Sequence, residues 1–309
     1  MNKIVLAVDL GGTNIRMAAV TASGEILHLA RGKTPANVTP AELLDITEYL
    51  AAECRKTIGG GRGIGGIGFA APAPAAKDCE GVLTKLPNIP SLNGMNLAAE
   101  LGQRFSLPVT LENDATAAAI GEHWLGAARS VRNSIMITLG TGVGGGLIIE
   151  NEPYRGVDGT AGEIGHIAVE PDGYPCGCGS RGCLEQYASA TAIVRSANEA
   201  GLSLASSRDI FASAEGGDPV AQAVFNTMAR YLGIALAGLT NTFNPELVVI
   251  GGGVAAGWTS FIEPLRSEIR ARAFDAPAKR AVLVRSILGD NAGLLGVARS
   301  AFRSLEDRF

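Results

Sequence analysis

The chain of 309 residues has no run of about twenty apolar residues, so we predict no membrane-spanning helix and no membrane partner. Its 26 lysines and arginines are scattered, and the formal net charge is -4. Because a surface that follows nucleic-acid phosphates needs clustered positive charge, we also expect no nucleic-acid partner.

Cysteine is scarce as well. The chain has 5 cysteines, an odd number whose clustering does not fit the disulfide framework of a secreted protein. The N-terminal segment lacks the cleavage pattern of a signal peptide. We therefore expect a cytoplasmic protein.

Apolar residues are abundant, at 47%, and so are glycines, of which there are 41. The length predicts one large or two medium domains. Short apolar stretches alternate with helical patterns, which is typical of the α/β class. Predicted strands cover residues 3–9, 15–20, 24–30, 63–70, 108–112, 247–250 and 281–284. Predicted helices cover residues 40–58 and 114–126, much of 190–243, and the chain from 292 onward.

A weak internal repeat is visible. Residues 135–149 (IMITLGTGVGGGLII) repeat the pattern of residues 5–20 (VLAVDLGGTNIRMAAV): a strand, a glycine turn with threonine, and a second strand. In this register Asp9 aligns with Thr138 and Gly11 with Gly140. The repeat indicates two related α/β halves.

Three glycine turns follow apolar strands, in DLGGTNIR, LGTGVGGG and VIGGGVA. Backbone N–H groups in such turns form anion-binding concavities, and each turn read alone is equally well a simple β-turn. Together the three favour nucleotide phosphate binding. Asp9, beside the first turn, suits either a divalent cation held through water or a cap of the turn.

Three polar residues, Glu112, Asn113 and Asp114, stand where a strand ends and an alanine-rich helix begins. Asn113 or Asp114 would serve as the N-cap of that helix. A carboxylate at this position could instead accept a hydroxyl proton during phosphoryl transfer. The local sequence favours the cap.

Thiols cluster between residues 176 and 183. Cys176, Cys178 and Cys183, together with His166, form a set suited to structural tetrahedral zinc. Inert thiols, a catalytic thiol or a disulfide are the alternatives. Glu163 and Glu185 flank the cluster, either as solvated acids or, fixed by a metal, as hydrogen-bond acceptors for a polyol.

The chain resembles the ROK family of repressors and sugar kinases, and within it the zinc-containing bacterial glucokinases. The matching motifs are D-x-G-G-T-x-x-R from Asp9, E-N-D-A from Glu112, G-T-G-x-G-G-G from Gly140, G-E-x-G-H from Gly162 and C-x-C-G-x-x-G-C-x-E from Cys176. The resemblance implies an actin-like, ribonuclease-H-like duplicated fold, with a sugar- and nucleotide-binding cleft between two α/β domains. We assign residues 1–113 plus 291–309 to the smaller domain and 114–290 to the larger one, which carries the zinc loop.

The resemblance also implies an ATP-dependent hexose kinase that phosphorylates the 6-hydroxyl of glucose, with Mg²⁺ bound to ATP and a structural Zn²⁺. Asp114 resembles the general base. The implied sugar contacts are Asn88, Asn113, Asp114, Glu163, His166 and Glu185. The implied nucleotide contacts are Asp9, Gly11, Gly12, Thr13, Thr141, Gly142, Gly251 and Gly252. The implied zinc ligands are His166, Cys176, Cys178 and Cys183. Family members are commonly dimers or tetramers, so a homodimer or homotetramer is expected.

Some features depart from the family pattern. Asn14 replaces a frequent lysine beside the first threonine, and Ser91-Leu92 replaces Gly-Trp in the sugar-side loop. Only Met1 and Asn2 precede the first strand, which leaves no room for the repressors' DNA-binding segment. A kinase of N-acetylmannosamine or N-acetylglucosamine is the nearest alternative, although Glu163 favours glucose. A sugar-sensing regulator without catalysis is the alternative from another class. Because the nucleotide turns lie apart from the cysteines in sequence, loss of zinc is expected to weaken hexose binding more than ATP binding.

Overall fold

The computed structural model describes residues 3–58, 63–73, 82–83, 86, 89–280 and 282–306. The described chain forms two five-stranded sheets with helices packed on them. The strands are β1 (Ile4–Leu10), β2 (Asn14–Thr21), β3 (Ile26–Lys33), β4 (Ile64–Ala71), β5 (Val109–Asn113), β6 (Ser134–Leu139), β7 (Val143–Ile149), β8 (Glu152–Pro153), β9 (Leu247–Gly251) and β10 (Val282–Arg285). The helices are α1 (Pro40–Thr57), α2 (Leu97–Phe105), α3 (Asp114–Trp124), α4 (Glu185–Ala188), α5 (Ala190–Glu199), α6 (Ser207–Glu215), α7 (Pro219–Phe243), α8 (Trp258–Arg272), α9 (Asp275–Arg280) and α10 (Ala292–Glu306).

The two sheets have the same topology. The first has the order β3-β2-β1-β4-β5 and the second β8-β7-β6-β9-β10. In each sheet the first three strands in chain order pair antiparallel. The fourth strand then pairs parallel with the first. In this register β6 corresponds to β1, as the repeat in the sequence predicts, so the expectation of a duplicated α/β fold is confirmed.

The sequence predicted most elements within a few residues. Thr39 caps α1 in a reciprocal capping box with Glu42, which explains why the helix begins at the predicted proline. The helical region predicted at 190–243 is three helices, because Ser206 and Asp218 each cap a new one. Helix α2 was not predicted. Its apolar face is short, and a left-handed Ser106 ends it after nine residues.

Helices α3 and α10 pack closely against each other between the sheets, α3 on β6 and β7 and α10 on β1 and β4. Two glycines allow this approach. A Cβ atom at Gly296 would lie 1.6 Å from the carbonyl oxygen of Ala117, and one at Gly121 would lie 2.1 Å from that of Ala292. A Cβ atom at Gly293 would lie 3.9 Å from the carbonyl oxygen of Asp114, so this catalytic candidate at the start of α3 is close to the start of α10.

The glycine run in β7 has a packing role. A Cβ atom at Gly146 would lie 2.7 Å from the carbonyl oxygen of Ala115 in α3. On the opposite face of the strand, a Cβ atom at Gly145 would lie 2.5 Å from the carbonyl oxygen of Gly162. Because successive strand residues face opposite sides, β7 brings α3 and the segment around Glu163 close to its two faces.

The apolar core follows the sheets. One large buried cluster joins the second sheet to α7 and α8, and another joins the first sheet to α1 and α2. Among the described residues, no helix combines the length and apolarity that a membrane crossing requires. The limits of the two domains remain a prediction.

Candidate active site

The candidate residues lie where parallel strands end. Asp9 stands near the end of β1, Asn113 ends β5 and Gly251 ends β9. In open α/β sheets, ligands bind outside the carboxyl ends of the strands. The predicted glycine turns therefore lie at the edges where such a fold binds ligands.

Asn113 caps helix α3. Its side-chain oxygen accepts hydrogen bonds from the backbone N–H groups of Ala115 and Thr116, both at 3.0 Å. Its side-chain nitrogen donates to the carbonyl oxygen of Ala73 at 3.4 Å. The local sequence favoured a helix cap at Asn113 or Asp114. In the structure Asn113 is that cap, and Asp114 is the first residue of the helix.

Asp114 keeps a carboxyl group that the cap does not use. Within the part of the chain that the structure describes, this carboxyl accepts the N–H of Ala115, at 2.7 Å. Burial raises the pKa of this carboxyl to about 6, opposed by that hydrogen bond and assisted by the negative charges of Asp9 and Glu163. A carboxyl with such a pKa is largely ionised at neutral pH and basic enough to accept a proton.

The first glycine turn lines a cleft of about 760 Å³. Its walls are Asp9, Gly11, Gly12, Thr13, Asn14, Arg16, Arg31, Gly32, Asp290 and Asn291. The four nucleotide residues predicted in this part of the sequence are thus together. Arg16, Arg31, Asp290 and Asn291 were not among the predicted site residues. Three of them could have been identified from the sequence. Arg16 closes the D-x-G-G-T-x-x-R motif, and Asp290 and Asn291 belong to the G-D-N segment after β10.

Asp9 is paired with Arg16 in this cleft. The two residues are directly opposite across β1 and β2, and the guanidinium binds the Asp9 carboxylate. The same guanidinium nitrogen donates to the carbonyl oxygen of Asp290 at 2.7 Å. The described partner of the Asp9 carboxylate is Arg16, and no described hydrogen bond joins that carboxylate to the glycine turn as a cap would. A cation held by Asp9 stays a prediction.

The second and third glycine turns are neighbours. A Cβ atom at Gly252 would lie 2.3 Å from the carbonyl oxygen of Leu139, the residue before the turn that carries Thr141 and Gly142. Gly252 also has a φ of +83°, which favours glycine. Strands β6 and β9 are parallel neighbours, so Gly251 and Gly252 stand beside Thr141 and Gly142 at one edge of the second sheet.

The predicted zinc ligands form a cluster. One ligand atom from each of His166, Cys176, Cys178 and Cys183 lies within 4.8 Å of all the others. The Sγ atoms of Cys178 and Cys183 are 3.6 Å apart, as are Cys176 Sγ and His166 Nδ1. Ligand atoms bound tetrahedrally to zinc at about 2.3 Å would be separated by about 3.5–3.8 Å, so the described geometry fits the ion.

The backbone of the loop around Cys178 lets the four candidate ligands lie close together. Cys176 and Ser180 are joined by a backbone hydrogen bond of 2.9 Å, which closes a tight turn around Cys178. Gly182 has a φ of +65°, and a Cβ atom there would lie 1.6 Å from the carbonyl oxygen of Glu170. Burial, with the neighbouring thiols, raises the pKa of Cys183 to about 12. Crowded thiols of this kind favour a bound cation that would stabilise their thiolates.

Two of the predicted sugar residues, Glu163 and Glu185, lie beside members of this cluster. Glu163 precedes the 3₁₀ turn Ile164–His166, and its Oε2 is 3.9 Å from His166 Nε2. The carboxylate therefore faces the ring nitrogen opposite the one that faces Cys176. Glu185 begins α4, two residues after Cys183, and its Oε2 accepts the N–H of Val143 at 3.1 Å. Asn88 lies outside the described residues.

Two buried carboxylates near the site, Glu112 and Glu122, were not among the predicted site residues. Glu112 binds Arg155 through both carboxylate oxygens, at 3.1 and 2.5 Å, and Ser300 at 3.2 Å. Glu122 accepts from Ala127, Ser286 and Leu288. Both are structural in this geometry. Nothing in the local sequence distinguishes them from a helix-cap acid or a surface acid.

The whole chain can be compared with known proteins. The sequence model of the ROK family matches residues 5–303. A glucokinase of Halalkalibacterium halodurans is 38% identical over 310 residues, which cover 94% of this chain and 92% of that one. A xylose repressor of Bacillus spizizenii is 35% identical over 297 residues, covering 95% of this chain and 75% of the repressor.

A solved structure is similar over nearly the same length. The ROK family glucokinase from Streptomyces griseus, in complex with glucose and AMPPNP, superposes with a TM-score of 0.83 and 36% identity. The match covers 97% of this chain and 99% of that one. The chain therefore belongs to the ROK family.

Proposed function

We propose that this protein is an ATP-dependent glucokinase that transfers the γ-phosphoryl group of ATP to the 6-hydroxyl of glucose. The observation that carries the proposal is the state of Asp114. Because Asn113 caps the helix, the Asp114 carboxyl is left for chemistry, and its pKa of about 6 suits proton transfer near neutral pH. The similarity to glucokinases supports glucose as the hexose.

Asp114 is the general base in this mechanism. It accepts the proton of the sugar hydroxyl as that oxygen attacks the γ-phosphorus, and the bond from this phosphorus to the β–γ bridging oxygen breaks to release ADP. Little covalent help is needed, because phosphoryl transfer depends mainly on positioning and on neutralising charge. Asp9 and Glu163, whose charges raise the Asp114 pKa, also strengthen it as a base.

The remaining site residues have positioning roles. Glu163, His166, Glu185, Asn88 and Asn113 contact sugar hydroxyls, although both polar atoms of the Asn113 side chain already have protein partners. The first glycine turn and the turns at Thr141 and Gly251 hold the phosphates and the adenosine side. Mg²⁺ arrives with ATP, and a cation held by Asp9 through water would share that carboxylate with Arg16.

His166, Cys176, Cys178 and Cys183 would hold a structural Zn²⁺. Four protein ligands leave no open position, so the ion would fix the loop and supply no catalytic water. Glu163 Oε2 lies 3.9 Å from His166 Nε2, beyond hydrogen-bond distance, so both groups can contact sugar hydroxyls. The loop in turn fixes Glu185 beside the sugar.

An assay of ADP release across sugars tests the proposal. Glucose, mannose, fructose, allose, N-acetylglucosamine and N-acetylmannosamine should be compared at equal enzyme and ATP concentrations. We expect the highest kcat/KM with glucose. A tenfold preference for an N-acetyl sugar would overturn the assignment in favour of an N-acetylhexosamine kinase. Absence of ADP release with every sugar, together with sugar binding, would support a sugar-sensing regulator like the repressors of the family.

A further inference from the structure

The turn Gly140–Val143, here called the phosphate turn, is held by a segment that lies more than forty positions later in the sequence. The N–H of Val143 donates to Glu185 Oε2 at 3.1 Å. The carbonyl oxygen of Gly140 accepts the N–H of Ala190 at 2.8 Å, and that of Thr141 accepts the Thr191 hydroxyl at 2.9 Å. A Cβ atom at Gly142 would lie 2.3 Å from Glu185 Oε2, so the contact extends along the whole turn.

Residues Glu185–Thr191, here called the link, are themselves anchored at both ends. On one side, Leu184 donates its N–H to Ile167 at 2.9 Å, and Cys183 forms a β-bridge with Ala168. On the other side, Ser189 caps α5 by accepting the N–H of Ala192 at 3.1 Å. The first N–H groups of a helix have no partner within it, and Gly140 supplies one for Ala190.

Glu185 also has a second carboxylate oxygen, which Val143 does not use. Its Oε2 is used by Val143, whereas Oε1 has no hydrogen-bond donor among the residues that the structure describes. Residues Cys176–Cys183 are here called the cysteine loop. A carboxylate oxygen that has no donor and lies next to this loop can accept a hydrogen bond from a sugar hydroxyl. One side chain can therefore contact the sugar and hold the phosphate turn together.

We propose that the link positions the phosphate turn for ATP, with Thr191 as a positioning residue and Glu185 shared between the sugar and the turn. This proposal rests on the proposed kinase function and deepens it. It gives the cysteine loop a second role, because a displacement of Cys183 would be passed to the turn through the adjoining Glu185. Thr191 is the informative residue, since it is solvent-exposed and its hydroxyl contacts the turn without forming part of the core.

The test is the substitution Thr191→Val, which keeps the shape of the side chain and removes the hydroxyl donor. Loss of one neutral hydrogen bond should weaken nucleotide affinity by about three- to tenfold. We expect the KM for ATP and the Kd of AMPPNP, measured by calorimetry, to rise by that factor. The Kd of glucose alone should stay within about twofold of wild type, because the Glu185 carboxylate is retained.

Two further variants make the result specific. Thr191→Ser keeps the hydroxyl and should restore the AMPPNP Kd to within about twofold of wild type. Thr227→Val is the matched control, since the hydrogen bond described for that hydroxyl stays within its own helix, to the carbonyl oxygen of Ala223 at 2.9 Å. It should change neither ligand's affinity.

The outcomes separate the two proposals. If wild type binds AMPPNP and Thr191→Val binds it equally well, the link proposal is wrong and the kinase proposal is untouched. If Thr191→Val and Thr191→Ser lose equal affinity, the hydroxyl has no positioning role. If wild type binds no AMPPNP at all, both proposals are wrong.

Discussion

The side chain of Asn113 caps the helix that Asp114 begins. One side-chain oxygen satisfies two N–H groups at the start of α3. Asp114, the next residue, therefore has a carboxyl that burial and neighbouring charge can tune. Both residue types are good helix caps, but only Asn113 caps α3, and the Asp114 carboxyl is left for the chemistry that we propose.

The first prediction concerns Asp114→Asn. Because general-base catalysis contributes about 10²–10⁴-fold, kcat should fall by at least that factor. The KM for ATP should change little, since the cap and the glycine turns are intact. Steady-state kinetics measure the loss. A variant that keeps more than about half of the wild-type kcat would show that the base lies elsewhere.

The same substitution should stabilise the protein. The pKa of the Asp114 carboxyl is about 6 in the folded protein and about 3.9 in the unfolded chain. Such a carboxyl favours folding most when it is protonated, and this contribution is lost as pH rises through about 6. Removing the charge should therefore raise the free energy of unfolding by up to about 3 kcal/mol at pH 8 and by about half of that at pH 5. Urea unfolding at both pH values measures the gain. Equal effects at the two pH values would contradict the raised pKa.

The pH dependence of activity gives a third prediction. Asp114 must be ionised to accept a proton, so kcat/KM for glucose should fall tenfold per pH unit well below the apparent pKa, which we expect near 6. The residual activity of Asp114→Asn should lack this limb. A wild-type profile that stays flat down to pH 5 would exclude Asp114 as the titrating base.

The fourth prediction concerns the cysteine loop. Elemental analysis should find about one zinc per chain in wild type and markedly less in Cys178→Ser, because the ion needs all four ligands. Glucose affinity should fall in that variant. AMPPNP affinity should fall with it, because the link joins the loop to the phosphate turn.

Cys54→Ala is the control for this experiment. Cys54 is buried in α1, away from the cluster, so its loss should lower thermal stability without changing the zinc content. Wild-type protein that contains no zinc and binds glucose fully would refute the structural role of the metal. A loss of glucose affinity in Cys178→Ser with unchanged AMPPNP affinity would restore the expectation drawn from the sequence.

A pair of glycine substitutions tests the crossing of α3 and α10. Gly296→Ala should cost about 1–3 kcal/mol or more, because its Cβ atom would lie 1.6 Å from the Ala117 carbonyl oxygen. At Gly238 in α7, the new Cβ would meet no described atom within 4 Å apart from its own helix backbone and chain neighbours, so Gly238→Ala should stabilise the protein by about 0.5–1 kcal/mol. Chemical denaturation measures both. Similar effects from the two substitutions would contradict the close packing.

The sequence by itself determined the α/β class, the duplication and the family. Hydrophobic period, helix caps and glycine turns are local signals, and they located most strands and helices. The spacing of the cysteines, also a local signal, located the Cys176–Cys183 cluster. The motif E-N-D-A also identified the residues at the start of α3. Local propensity could not decide which of Asn113 and Asp114 caps the helix, because both types are good caps.

Tertiary structure decided what depends on contacts between distant segments. The pKa of Asp114 is raised by burial and by Asp9 and Glu163, which are remote in sequence. The pairing of Asp9 with Arg16 follows from strand register. The sequence separates the phosphate turn from the cysteine loop, and this led to the expectation that loss of zinc weakens hexose binding more than ATP binding. In the folded chain Glu185 binds Val143 across that separation, because parallel strands and the helices between them bring distant turns to one edge of a sheet.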